Sequence, residues 1–214
     1  MDNTLAMENI TGGDENLSPA ERKAIEAEEQ RQLKEKVSKS MLWLSMGSMV
    51  MIFGALTSAY VVRMEKGDWL QFELPQMFYI STAVIIMSSV TMNWTLASAK
   101  KNDFRNVKLG ALITLLLGIA FVACQFQGWG ILVDQKVFFA GRDSNAAGSF
   151  MYALTGLHMA HLAGGLIALI VVSIKASMKK YNSENLLGLK LCAIFWHFLD
   201  LLWILLFLFL LFVR

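Results

Sequence analysis

Five long apolar runs constrain this chain more than any other feature of its sequence. Each run is 22 to 27 residues long, and an α-helix needs about 20 residues to cross roughly 30 Å of hydrocarbon. The whole chain is 56% hydrophobic and 17% charged, a composition typical of membrane proteins. We therefore expect an all-α polytopic membrane protein, a bundle of five transmembrane helices with an N-terminal cytoplasmic helix. The predicted spans are 41–62, 76–98, 107–133, 149–174 and 189–213.

The residues before the first span are predicted to form a separate tail. The part up to Leu17 is polar and rich in Gly and Asn, so we expect it to be disordered. Ser18 and Glu21 have the spacing of a capping box, which predicts that a helix begins at about residue 19. The predicted domains are thus a cytoplasmic tail, 1–40, and a five-helix transmembrane domain, 41–214.

The basic residues are distributed unevenly between the two ends of the spans. The tail has six Lys or Arg, and the second and fourth connections have four each, which together make 14 of the 19 in the chain. The first and third connections and the C-terminus hold the remaining five. By the positive-inside rule, this bias predicts a cytoplasmic N-terminus and an external C-terminus.

Four ionisable residues lie inside the apolar runs. The fourth span carries His158 and His161, and the fifth carries His197 and Asp200. An ionisable group in a span costs roughly 2.5 to 3.5 kcal/mol on insertion scales, so such groups face the interior of a bundle. Three interpretations are open: a metal or haem site, although the ligands are few for one; a proton or ion pathway; and a structural network of hydrogen bonds between helices.

The structural interpretation leads to a specific expected contact. Helices four and five run in opposite directions, and at 1.5 Å per residue His161 and Asp200 lie roughly 20 Å and 15 Å from the cytoplasmic ends of their helices. We therefore expect Asp200 to hold these two helices together through a histidine.

Small residues mark two further expected contacts. Gly47 and Gly54 in the first span, and Gly110 and Gly118 in the third, occur at spacings that place them along one side of a helix. Such stripes let another helix approach closely, so we expect close packing at both.

The histidine-bearing segments resemble a known family. The segments LTGLHMAHLAGG and FWHFLDLLWILLF are similar to the signatures TGFHxxHVxxG and YWHFVDxVWxxLF of subunit III of the haem-copper cytochrome c and quinol oxidases. The first span resembles that family's LWxFLxSEVMFFxxLFxAYxxxR, and Gln125 with Trp129 matches its QxxEW pattern. The resemblance runs from about Leu42 to the C-terminus. Two family glutamates are replaced, one by Met49 and the other by Gly128.

The resemblance implies a non-catalytic subunit of a bacterial terminal oxidase in the cytoplasmic membrane. It implies no redox cofactor on this chain, with the haems and copper on partner subunits, and bound phospholipid. The implied partners are oxidase subunits I and II and membrane lipids, with no nucleic acid; a larger respiratory supercomplex is left open. The implied role is to stabilise subunit I and to support proton uptake. The resemblance also carries over motif residues: His158, His161, His197, Asp200, Trp203, Arg63, Gln125 and Trp129. The last four of these are candidates for contact with lipid or with a partner subunit.

Two other functional classes remain as alternatives. A small transporter or channel also places His and Asp in its spans, and a related accessory subunit serves nitric oxide reductases. The sequence does not distinguish cytochrome c from quinol as the electron donor.

Overall fold

The computed structural model describes residues 18–66, 69, 70, 72–141, 144–178, 181 and 186–213. The described part contains five α-helices and no strand. All five are long and apolar enough to cross a membrane, as predicted. They are α1 Pro19–Met64, α2 Gln76–Lys100, α3 Phe104–Asp134, α4 Ala146–Ser177 and α5 Leu187–Phe212. The expected disorder up to Leu17 concerns residues outside the described ranges.

The chain divides into two compact units, Met1–Leu44 and Ser45–Arg214. In the first unit the described residues are Ser18 and the first part of α1, and most of their side chains are exposed. This segment begins with a capping box: the Ser18 backbone N–H donates to the Glu21 carboxylate at 2.8 Å, and the Glu21 N–H donates to Ser18 Oγ at 3.3 Å. Further along, Lys39 pairs with Glu35 one turn away. These local contacts stabilise a solvated helix.

We expect the start of α1 to fray in acid. The Ser18 hydroxyl and then its backbone N–H stabilise the Glu21 carboxylate, so the pKa of Glu21 lies below its ordinary value of 4.5. The stabilisation is complete above that value and is lost as the pH falls through the lower folded-state pKa. Amide hydrogen exchange in the first turn should therefore accelerate below about pH 4 relative to mid-helix amides. Glu21→Gln should remove this pH dependence; an unchanged profile would contradict the assignment.

In the second unit, helices α2, α3, α4 and α5 form a closed ring of neighbours. Contacts join α2 to α3, α3 to α4, α4 to α5, and α5 back to α2. Gly110 lies directly against Thr95 of α2, where any Cβ would collide with the threonine hydroxyl. A Cβ at Gly118 would likewise lie too close to the ring of Trp196 of α5, at 2.8 Å. The close packing expected for this stripe of α3 is therefore confirmed.

The membrane part of α1 packs against the ring through a few large side chains. Phe53 and Tyr60, seven residues apart, are 3% and 1% exposed. Phe53 contacts the histidines of α4, and Tyr60 packs edge-on against Phe209 of α5, with ring centroids 5.1 Å apart. A Cβ at Gly47 or Gly54 would have no atom within 4 Å. The close approach expected at these two glycines is thus wrong within this chain, because bulky aromatic rings hold α1 away.

An apolar groove remains between α1 and α5 as a result. Its volume is about 390 Å³. Gly54 and Thr57 form part of its α1 wall, and Leu201 and Leu205 form part of its α5 wall.

Candidate functional site

Helix α2 is the centre of the polar interior of the bundle. Its buried face repeats every seven residues, with Ser81, Ser88 and Thr95 all fully buried. A spacing of seven returns to nearly the same side of a helix, so these hydroxyls form one stripe. Helices α3 and α5 send polar side chains to α2, as the following contacts show.

Two buried tryptophans of α5 donate to α2 hydroxyls. The Trp196 indole N–H donates to Ser88 Oγ at 2.7 Å, and the Trp203 indole N–H donates to Thr82 Oγ1 at 3.0 Å. Both rings are fully buried. Buried indoles need such an acceptor, so the two bonds fix the rotation of α5 against α2.

Asp200 and His197 meet at a third α2 hydroxyl. Ser89 Oγ lies 2.6 Å from Asp200 Oδ2 and 2.6 Å from His197 Nδ1. On the other side of the imidazole, Nε2 lies 3.1 Å from Asn93 Oδ1. The result is a hydrogen-bonded chain in the order Asp200, Ser89, His197, Asn93, which we call the polar chain.

All three links of the polar chain are hydrogen bonds in two proton arrangements. With Asp200 protonated, its hydroxyl donates to Ser89, Ser89 donates to His197 Nδ1, and His197 Nε2–H donates to Asn93. With Asp200 ionised, Ser89 donates to the carboxylate and a doubly protonated His197 donates to both Ser89 and Asn93. The neutral arrangement places no charge in hydrocarbon, which is the less costly state there. Chemically, the arrangement holds one proton that either Asp200 or His197 carries.

The expected contact between Asp200 and His161 is wrong. Asp200 Oδ2 bonds to Ser89 of α2, while His161 Nδ1 bonds to the Leu157 carbonyl of its own helix at 2.8 Å. Asp200 Oδ1 is buried and has no hydrogen-bond partner among the described residues. The expectation was based on the similar depths of Asp200 and His161 in the membrane. However, Asp200 lies on the side of α5 that faces α2, as do Trp196 and Trp203.

His158 is enclosed by aromatic rings and takes no part in the polar chain. It is fully buried, with ring centroids 5.2 Å from Trp203, 6.1 Å from Phe121 and 6.5 Å from Phe53. Within the described part of the chain, neither of its ring nitrogens has a hydrogen-bond partner. The predicted four residues therefore lie in two places: His197 and Asp200 contact α2, and His158 and His161 lie against Phe53 of α1.

Two of the remaining motif residues, Gln125 and Trp129, lie at helix contacts. Gln125 Nε2 donates to Ser81 Oγ at 2.9 Å, which joins α3 to α2, and Trp129 Nε1 donates to Thr155 Oγ1 at 3.1 Å, which joins α3 to α4. Arg63 is half-buried in the last turn of α1. Among the described residues, no three His, Cys, Asp or Glu side chains lie together as metal ligands would.

Sequence reasoning missed the α2 hydroxyls as partners of the motif side chains. Among the many Ser and Thr residues of this run, Ser81, Ser88 and Thr95 recur every seven residues, and this spacing was the available signal. Serine and threonine also bond to their own helix backbone, as Thr95 does to the Thr91 carbonyl, so the residue types alone do not indicate a cross-helix role.

The sequence of this chain is similar to those of known proteins. The family described as "Cytochrome c oxidase subunit III" matches residues 68–213. A probable cytochrome c oxidase subunit 3 of Nocardia farcinica is 32% identical, over 82% of this chain and 86% of the relative. The cytochrome c oxidase subunit 3 of Bacillus sp. strain PS3 is 27% identical, over 77% and 80%. A probable quinol oxidase subunit 3 of Staphylococcus saprophyticus is 26% identical, over 84% and 90%.

Proposed function

We infer that this chain, which belongs to the cytochrome c oxidase subunit III family, stabilises the catalytic subunit I of a bacterial haem-copper oxidase that reduces oxygen and pumps protons. The observation that carries the proposal is that side chains of the α5 motif form hydrogen bonds to a neighbouring helix. Trp196, Trp203 and Asp200 each bond to a hydroxyl of α2. These groups fix helix packing, which suits an accessory subunit with no active site of its own.

The test is whether the chain travels with a haem protein. Membranes are extracted in a mild detergent, the complexes are separated by native electrophoresis, and the visible spectrum of the band containing this chain is recorded. We expect co-migration with a haem-containing complex that also contains oxidase subunits I and II. A colourless, self-associated protein would contradict the proposal and would favour the transporter or channel alternative, and a nitric oxide-reducing complex would favour the related accessory subunit.

We further propose that the chain itself carries no haem or metal. The histidines support this, because His158 is enclosed by rings and His197 is bonded on both sides. A Soret band or stoichiometric copper retained by the purified single chain would contradict it.

We also propose that this chain supports proton uptake by the oxidase. The test compares proton pumping of the oxidase with and without this chain during sustained turnover.

Phospholipid binding is proposed for the apolar groove between α1 and α5. The groove is open at the surface of the bundle, where Val50 and Leu201 are exposed, and its walls are apolar, which suits acyl chains. A leucine at Gly54 would extend into it, because nothing lies within 4 Å of a Cβ there. We therefore expect Gly54→Leu to lower the phospholipid phosphorus per chain in the purified complex. Gly47→Leu is the matched control, since Gly47 is equally open but does not line the groove; equal losses in both variants would contradict a site in this groove.

The proposed orientation has a cytoplasmic N-terminus and an external C-terminus in the bacterial cytoplasmic membrane. Single cysteines are placed at Ser144, in the third connection, and at Ser183, in the fourth, in a background without Cys124 and Cys192. In intact cells an impermeant thiol reagent should label the cysteine at position 144 and spare the one at 183. The reverse pattern would overturn the orientation.

A further inference from the structure

Asn93 is an exposed amide on the outside of the bundle at a membrane-embedded level. It lies five residues from the midpoint of α2, which is about 7 Å along the helix axis. The half-thickness of the hydrocarbon layer is about 15 Å. Its side chain is exposed, and the neighbouring His197 is half-buried. We call this surface, formed by Asn93, His197 and the exposed Val90 and Ile194 one turn before them, the amide edge.

The amide edge presents hydrogen-bond donors that this chain does not satisfy. Asn93 Oδ1 is taken by His197, and no described residue accepts a hydrogen bond from Asn93 Nδ2. Acyl chains have no acceptor to offer, and an unsatisfied polar group in hydrocarbon costs free energy. The short side chain of Asn93 also does not span the distance to the headgroups. An acceptor on another molecule at the same depth would remove this cost.

We propose that the amide edge is the docking site for a transmembrane helix of a different polypeptide, which offers an oxygen acceptor to Asn93 Nδ2. Polar side chains commonly join helices in membranes in this way. A second copy of this chain would also offer an acceptor, because the Asn93 carbonyl oxygen has a second lone pair, but membership in an oxidase subunit family favours a helix of another oxidase subunit. The flanking Val90, 65% exposed, supplies apolar surface for the same helix. This inference rests on the proposed function only for the identity of the partner, an oxidase subunit.

Photocrosslinking in membranes that contain the intact complex tests the docking site. The photoreactive residue p-benzoylphenylalanine replaces Val90 at the amide edge, or Ile167 of α4 as a control of similar exposure, 64%. We expect the Val90 position to form an adduct with one haem-carrying oxidase subunit, identified by mass spectrometry, in at least about fivefold greater yield than the Ile167 position. Adducts only with lipid, or only with a second copy of this chain, would overturn the docking site.

Two further variants distinguish the contribution of the Asn93 amide to the adduct yield from that of the rest of the polar chain. Asn93→Leu should lower the adduct yield at the Val90 position about fivefold or more, because the donor is gone. Ser89→Ala breaks the inner end of the polar chain but leaves Asn93 in place, so the yield per folded chain should be unchanged. Equal yields for Asn93→Leu and the parent would overturn the role of the amide.

The outcomes also distinguish this inference from the proposed function. If the chain does not co-migrate with a haem complex, but Val90 is joined to another identified membrane polypeptide in an Asn93-dependent way, the proposed function fails and the docking site is upheld. If the chain co-migrates with a haem complex and Val90 is joined only to lipid, the docking site fails and the proposed function is upheld.

Discussion

Ser89→Ala is expected to destabilise the bundle by about 1–3 kcal/mol, the cost of leaving a buried hydrogen-bonding group without its partner. Asp200 is 3% exposed and its described hydrogen bond is to Ser89. Without the serine hydroxyl, both carboxyl oxygens are buried without an acceptor or donor opposite them. Unfolding in mixed detergent micelles by titration with dodecyl sulfate measures the free energy.

The adjacent Ser88→Ala is the matched control for this prediction. It leaves one group, the buried Trp196 indole, without its partner, whereas Ser89→Ala leaves two, Asp200 and His197. Ser89→Ala should therefore be the more damaging of the two. Equal losses would show that the carboxyl finds another partner when Ser89 is removed.

A double variant tests whether the unpaired Asp200 carboxyl group causes the loss of stability in Ser89→Ala. Ser89→Ala with Asp200→Leu replaces the acid by an apolar side chain, so it should be less destabilising than Ser89→Ala alone. Because we propose a structural role for the polar chain, the purified oxidase with this double variant should retain its initial oxygen-reduction rate. A subunit that stays fully bound while the initial rate is abolished would instead assign a direct proton-transfer role to Asp200.

The sequence predicted the helices well because one physical requirement governs them. A span must cover the hydrocarbon thickness, so the length of each apolar run already indicates its helix. The predicted run 149–174, for example, lies inside α4 Ala146–Ser177. The capping box at Ser18 and Glu21 and the close approach at Gly118 were likewise predictable, because each depends on local spacing or on side-chain size alone.

The pairing of Asp200 was not predictable in the same way. Axial rise gives the depth of a residue, but it does not give the rotation of a helix about its axis. The rotation of α5 was indicated instead by Trp196, Asp200 and Trp203, which are four and three residues apart and all face α2. At Gly54, the small size of the residue predicted that another helix approaches closely, but the aromatic rings of Phe53 and Tyr60 on the same helix prevent this approach.

Gly118→Ala is expected to destabilise the bundle by about 1–3 kcal/mol, the usual cost of forcing an extra carbon into a well-packed core. A Cβ at this position would lie 2.8 Å from Cη2 of Trp196 and 2.9 Å from Cδ2 of Leu166. The indole is rigid and fully buried, and it is held by its bond to Ser88. The same dodecyl sulfate titration measures the loss.

Gly130→Ala, on the same helix, is the matched control. Nothing lies within 4 Å of a Cβ at Gly130, so the change should be neutral or stabilising by up to about 1 kcal/mol through helix propensity. If Gly118→Ala behaves like Gly130→Ala, the close approach of α3 to α5 is not as tight as described. The role of the fixed indole is tested by adding Ser88→Ala to Gly118→Ala. Because the ring is then free to shift away from the new methyl group, the double variant should lose less stability than the two single changes added together.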